Sequence, residues 1–184
     1  GELIRLGIEL CRIMNYLHSF KPNLILYLDL HPGNLLICRE QLKLIDFDQA
    51  ALASLSQERS VCYGTKGFAA PEQYEGGTLD ERTDIYAIGA LLYYMGTGHA
   101  PEGEIKAGQG SCWGDLYILM GRCLRTEKKE RCQSVREVLE ALEKLEARIF
   151  AERHIPLLRI AVAGSRSGIG VTHTALGAVR YLRQ

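Results

Sequence analysis

Tyr27-Leu28-Asp29-Leu30-His31-Pro32-Gly33-Asn34-Leu35-Leu36 is followed a short way on by Leu44-Ile45-Asp46-Phe47-Asp48. The first stretch sets an Asp, and five positions later an Asn, just ahead of an apolar run. The second ends an apolar run with another Asp. These residue types, in this order, suit phosphoryl transfer. That reaction asks little covalent chemistry of a protein. It needs a group that orients the acceptor hydroxyl and oxygen ligands for the metal on the nucleotide phosphates. Asp29 suits the first role. Asn34 and Asp46 suit the second, because hard divalent cations prefer carboxylate and amide oxygens. Taken singly, Asp29 is also what a turn carries, and Asn34 what a helix or hairpin cap carries.

Further motifs follow in order. Gly64-Thr65-Lys66-Gly67-Phe68-Ala69-Ala70-Pro71-Glu72 comes next, then Asp84-Ile85-Tyr86-Ala87-Ile88-Gly89, then Arg131 ahead of a last amphipathic stretch. Together they resemble the protein kinase family over roughly residues 2–150. The first stretch resembles that family's catalytic loop, Asp46-Phe47-Asp48 its Asp-Phe-Gly, and Gly64 to Glu72 the end of its activation segment with Ala-Pro-Glu. The resemblance implies that Asp84 opens the central helix of the lobe and that Arg131 pairs with Glu72. It implies Thr65 as the Thr that helps hold a Ser/Thr acceptor, and ATP with Mg2+ or Mn2+ as cofactors.

Some positions depart from the family pattern. His31 stands where Ser/Thr-specific members carry a Lys that neutralises the transferred group, which a neutral imidazole does poorly. The other reading of His31 is a cap on the loop. Leu28 replaces an Arg that grips a phosphorylated activation loop. Asp48 replaces a Gly whose freedom at positive φ lets the loop flip. The family's Gly-rich phosphate loop, strand Lys and helix Glu do not precede Glu2. The chain is therefore expected to be a fragment that opens in the helix before the catalytic loop and is inactive by itself.

Composition fits a globular piece. At 184 residues the chain is long enough for one sizeable core. Its formal net charge is zero, which leaves no basic footprint for nucleic acid or an anionic membrane. No apolar run reaches the roughly 20 residues of a membrane span. The six cysteines show no Cys-x-x-Cys spacing, so thiols in a reducing cytoplasm are expected rather than a metal or disulfide framework.

The periodicity predicts a mainly α fold: a kinase-like C-terminal lobe, helical with a short β-hairpin. Apolar residues at helical spacing run from Glu2 to Ser19. Leu35 to Cys38 and Leu42 to Ile45 read as a hairpin with Arg39-Glu40-Gln41 as its turn. Thr83 to Met95 is apolar almost all round, as a buried central helix would be. Cys112 to Leu124 and Ser134 to Phe150 complete the helices, the last with Ser134 and Glu137 spaced as a capping box. Between Gly96 and Ser111 the chain is short and Gly-rich, where the family usually has a further helix.

After a linker at 151–155, Pro156 to Ala163 reads as a buried strand running into Gly164-Ser165-Arg166-Ser167-Gly168-Ile169-Gly170-Val171-Thr172 and a helix. Strand, Gly-rich turn and helix are a recipe for holding phosphate, through close backbone approach and the free N–H groups of a helix start. This stretch resembles the opening of a MinD/ParA-like P-loop ATPase, with Gly164, Arg166, Gly168, Gly170 and Thr172 as phosphate-binding positions. Val171 stands where that family has its Lys. The other reading is a strand–helix turn whose glycines serve packing. Residues 156–184 are too few for a sheet, so a truncated β-loop-α stub is expected. A homodimer through that domain is an assembly the resemblance allows.

Three functions compete. One is a Ser/Thr-type protein kinase acting on an unidentified protein substrate. Another is a small-molecule phosphotransferase of the aminoglycoside or choline kinase type, which shares Asp29 to Asn34 and Asp46 but lacks an Ala-Pro-Glu segment. The third is a pseudokinase scaffold. Gly64 to Glu72 favours the first.

Overall fold

The computed structural model describes residues 1–56, 64–102 and 112–153, except the side chains of residues 55, 56, 112, 152 and 153. Residues 1–153 form one unit. The phosphate-loop reading at Gly164 to Thr172 and most of the Gly96 to Ser111 stretch lie outside the described residues.

The unit is built mainly of helices. Helix α1 (Glu2–His18) is followed by the two-residue strand β1 (Ile25–Leu26), a 3-10 turn at Pro32–Asn34 and the strands β2 (Leu35–Cys38) and β3 (Gln41–Leu44). Then come β4 (Ala51–Leu52), α2 (Ala53–Ser56), α3 (Pro71–Glu75), α4 (Glu81–Thr97), α5 (Cys112–Cys123) and α6 (Val135–Arg153). No described helix is long and apolar enough to cross a membrane.

The core is where α1, α4, α5 and α6 meet. Leu10, Met14, Ile85, Ile88, Leu91, Leu116, Val138 and Leu142 are buried in one cluster. Two glycines permit the close approach. A Cβ on Gly7 would come within 2.7 Å of Leu92 and 3.2 Å of Leu142; one on Gly89 would come within 2.5 Å of the Cys123 Cβ. Helix α4 begins at Glu81, ahead of the expected Thr83, because Asp80 caps it. The Asp80 carboxylate accepts from Arg82 N at 2.9 Å, and Thr83 Oγ1 accepts from Asp80 N at 3.3 Å. At α6, Ser134 Oγ accepts from Glu137 N at 3.2 Å as expected, but the Glu137 carboxylate reaches Gln133 N instead of Ser134 N.

The hairpin differs from expectation at its turn. Cys38 pairs with Gln41, so Gln41 belongs to β3 and the turn is Arg39-Glu40 alone. Both turn residues sit at positive φ, 49° and 65°. A two-residue loop of that hand matches the right-handed twist of the flanking strands. Glu9 of α1 docks the hairpin, its carboxylate accepting from Leu42 N at 2.9 Å while Arg5 holds its other oxygen at 2.7 Å. Strands β1 and β4 pair antiparallel, Leu26 opposite Ala51. Leu26, Leu28 and Leu79 make a second small apolar cluster beside that pair.

Candidate active site

The register of the hairpin brings the chemistry-bearing residues together. Leu35 lies opposite Leu44, and Ile45 N donates to Asn34 O at 3.0 Å, so Asp46 leaves β3 next to Asn34. Residues 29 to 34 fold as a tight loop. Asn34, almost fully buried, donates from Nδ2 to the Asp29 carbonyl at 3.0 Å and to Asp29 Oδ2 at 3.3 Å. Thr65, far along the chain, donates to Asp29 Oδ1 at 2.8 Å. The Asp29 carboxylate is thus aimed by a donor on each oxygen while its side chain stays 22% exposed.

His31 caps the 3-10 turn, its Nδ1 accepting from Gly33 N at 3.1 Å. Its Nε2 faces Asp29 Oδ2 at 3.5 Å. Gly33 leaves room for the ring, since a Cβ there would lie 2.9 Å from His31 Cε1. The loop cap read as the alternative for His31 is therefore present, and the same ring lies beside Asp29.

Asp46, not Asp48, is the residue at positive φ in the Asp-Phe-Asp triplet, at 60°. An Asp tolerates that region better than most side chains because it can bond its own loop, and Asp46 Oδ1 accepts from Asp48 N at 3.2 Å. Tyr27 fixes the approach to it. The Tyr27 hydroxyl donates to Ile45 O, and its ring meets Phe47 edge-on at 5.2 Å. Burial pushes the Tyr27 phenol up, and the Asp29 and Asp46 carboxylates push it further. This tyrosine therefore remains a neutral donor between two carboxylates.

The backbone under Asp29 is held from below. Asp84, buried at the start of α4, accepts from Tyr27 N at 2.9 Å and from Leu28 N at 2.8 Å. His18 Nε2 contacts the same carboxylate at 2.8 Å. Leu28 sits at φ 68°, a conformation costly for a bulky side chain. These bonds hold it there and so orient Asp29, the next residue. Gln73 is a further tie. Its amide donates to Leu28 O at 2.8 Å and accepts from Ala70 N at 3.0 Å, joining the loop to the Gly64–Glu75 segment. Tyr74 donates to Gly64 O at 3.0 Å. Sequence reading missed His18, Gln73 and Tyr74. They carry no spacing signal, although Gln73 follows the Ala-Pro-Glu directly.

The Glu72–Arg131 pair forms. Arg131 has no exposed surface and donates through Nη1 and Nη2 to the two Glu72 oxygens, both at 2.8 Å. Its remaining donors reach the carbonyls of Arg82, Arg125 and Thr126, and its guanidinium lies 5.0 Å from the centre of the Tyr86 ring. Burial alone would raise the Glu72 carboxyl, but the Arg131 bonds prevail and hold it below the usual range. This pair anchors the segment that carries Thr65.

For a metal, this site offers one amide and one carboxylate. Among the described residues no group of three or more His, Cys, Asp and Glu could hold an ion unaided. Asn34 bonds Asp29 through Nδ2 and Asp46 bonds Asp48 N through Oδ1, and among the described residues no hydrogen bond is shown to Asn34 Oδ1 or Asp46 Oδ2. Two hard oxygens with free lone pairs suit Mg2+, which usually takes one or two carboxylate-type ligands and completes its shell with phosphate oxygens and water.

Residues 2–145 match the protein kinase domain family. The chain is similar to serine/threonine-protein kinase A of Synechocystis sp., at 30% identity over 152 residues that cover 69% of this chain and 29% of that protein. It is similar to integrin-linked protein kinase 1 of Arabidopsis thaliana, at 29% identity over 91% of this chain and 37% of that protein. It is also similar to the DNA damage-responsive serine/threonine-protein kinase RqkA of Deinococcus radiodurans, at 37% identity over 49% of this chain and 14% of that protein. The chain spans well under half the length of these relatives.

Proposed function

Since the chain belongs to the protein kinase domain family, we propose that the full-length protein transfers the γ-phosphoryl group of ATP to Ser or Thr hydroxyls of protein substrates. The observation that carries this is the Asp29 carboxylate, 22% exposed and aimed by Thr65 and Asn34 at 2.8 and 3.3 Å. Asp29 accepts the hydrogen bond of the acceptor hydroxyl and orients its oxygen, Thr65 steadies that carboxylate, and His31 holds the loop around it. Asn34 and Asp46 would hold Mg2+ or Mn2+, which neutralises charge on the phosphates when bound. Glu72, Arg131 and Asp84 keep the frame. The Gly64–Glu75 segment, tied to Asp29 through Thr65 and to Leu28 through Gln73, favours a protein acceptor over a small molecule.

We place this chemistry in the cytoplasm, in a protein whose residues 151–155 link to a P-loop-like domain beginning at 156. The test is transfer of label from γ-labelled ATP to a Ser/Thr-containing protein by the full-length protein. Incorporation that requires Mg2+ or Mn2+ and disappears in Asp29→Ala supports the reading. Transfer by Asp29→Ala at the native rate refutes it.

A further inference from the structure

Away from the catalytic loop, the fold brings buried thiols together in the core. Cys11 of α1, Cys123 at the end of α5 and Cys132 just after Arg131 have no exposed surface. The Cys123 thiol donates to the Cys132 sulfur across 4.0 Å. We propose that Cys123 and Cys132 are a redox-modification site, a dithiol that a hydroperoxide converts to a disulfide in the folded protein.

Geometry comes first. A disulfide needs its sulfurs at about 2.05 Å. Bringing the pair together takes a movement of about 2 Å, within the range of side-chain rotation when the Cys132 side belongs to a loop. The chemistry is unequal between the two. The hydrogen bond from Cys123 stabilises the thiolate of Cys132, so Cys132 is the member drawn below the ordinary thiol value while Cys123 is held well above it. Burial, and then Cys132, push Cys11 up to about 12, so this third thiol stays protonated.

Buried thiols are ordinarily inert for want of access. Here the two cysteines are joined by a short, mostly exposed loop in which Arg125, Thr126, Glu127, Lys129 and Glu130 lie at the surface. The loop is held mainly by hydrogen bonds to its carbonyls from Arg131 and Gln133, and local opening that breaks them admits a small oxidant. In the first step the Cys132 thiolate attacks a peroxide oxygen. An S–O bond forms, the O–O bond breaks, the sulfur loses two electrons to the peroxide, and an alcohol or water leaves with a proton. In the second, the Cys123 sulfur attacks that sulfenic acid. The S–S bond forms, hydroxide departs, and it takes the Cys123 proton as water. The loop so tied supplies the Arg125 and Thr126 carbonyls that hold Arg131. Oxidation therefore acts at the foot of the guanidinium that holds Glu72. The inference does not depend on the kinase reading.

The test is hydrogen peroxide treatment of the native full-length protein, alkylation, trypsin digestion and mass analysis. The expected result is Cys123-Leu124-Arg125 linked to the Cys132–Arg136 peptide, lighter by two hydrogens, and released by a dithiol reductant. Cys123→Ser should lose the link and leave Cys132 as a sulfenic acid that a 1,3-dione probe traps. Cys132→Ser should lose both products. Recovery of the two peptides unlinked after native treatment would overturn the proposal. So would a link that forms only in denaturant, or one joining Cys132 to Cys11.

Discussion

The loop around Asp29 and the clamp around Arg131 are both networks of hydrogen-bonded charges, yet they are built in opposite ways. In the clamp, Arg131 is wholly buried and its guanidinium is bonded to Glu72 and three carbonyls. In the loop, Asp29 and His31 are each 22% exposed, with Leu28 at φ 68° and Asp46 at φ 60° flanking the site. A buried ion pair gains nothing unless its partners are all in place, which suits a fixed anchor. A group that must meet a hydroxyl needs an open side and a backbone held in an uncommon shape. The contrast separates an anchor closed on all sides from a carboxylate left open on one side.

The sharpest way to break the comparison is to remove charge from each network. Asp29→Ala should lower phosphoryl transfer by about 10²–10⁴-fold, the usual worth of a positioned base, with little change in urea stability. A large stability loss with transfer retained would show Asp29 to be framework. Glu72→Ala should do the reverse. It leaves a buried guanidinium facing no carboxylate and is expected to cost about 3–5 kcal/mol in urea denaturation.

The pH dependence of that second loss follows from the depressed Glu72 carboxyl. Its unfolded counterpart titrates near ~4.3. A lowered folded value means the stabilisation is fully present above the unfolded value and is lost as pH falls through the folded one. The stability gap between native protein and Glu72→Ala should therefore hold steady at neutral pH and narrow below about pH 4. A gap that widened on acidification would assign the stabilisation to another group.

A smaller effect is expected in the helical core that carries both networks. Gly89→Ala sets a Cβ 2.5 Å from the Cys123 Cβ. The overpacking should cost about 1–3 kcal/mol, offset in part by up to about 1 kcal/mol of helix propensity. A stabilised variant would mean that α4 and α5 separate at no cost. The smallest effect concerns the segment between the loop and the clamp. Leu28 is buried against Leu26 and Leu79 where a phosphate-gripping Arg is absent. Phosphate on Ser54, Ser56 or Ser60 then has no guanidinium at position 28 to pair with. Transfer by the protein should not change on phosphorylation of those serines, read before and after phosphatase treatment. A reversible rise mapped to one of them would show that another cation serves.

Much of this was legible in the sequence because it is local. The apolar spacing of α1, the almost uniformly apolar α4 and the alternation of Gln41-Leu42-Lys43-Leu44 in β3 are patterns read against 3.6 and 2.0 residues per repeat. The order Asp29, Asn34, Asp46, Glu72, Asp84, Arg131 needed no coordinates either. Local signals failed at the hairpin turn, because Gln41 is as acceptable in a loop as in a strand until its pairing with Cys38 decides. They failed at Asp46 as well. In Asp46-Phe47-Asp48 the positive φ falls on Asp46, beside the Ile45 carbonyl that accepts from Tyr27.

What only the tertiary structure decided is which distant groups meet. His18 and Asp84 lie 66 residues apart in sequence, Asp84 and Leu28 lie 56 apart, and Gln73 and Leu28 lie 45 apart, yet each pair is in hydrogen-bond contact. Cys123 and Cys132 are near in sequence, but nothing in their spacing signals that their sulfurs lie 4.0 Å apart in the core. Such contacts have no period. They arise when helices of fixed length pack at distances set by residues such as Gly7 and Gly89, and a packing distance is a property of two surfaces together, which neither stretch of sequence contains by itself.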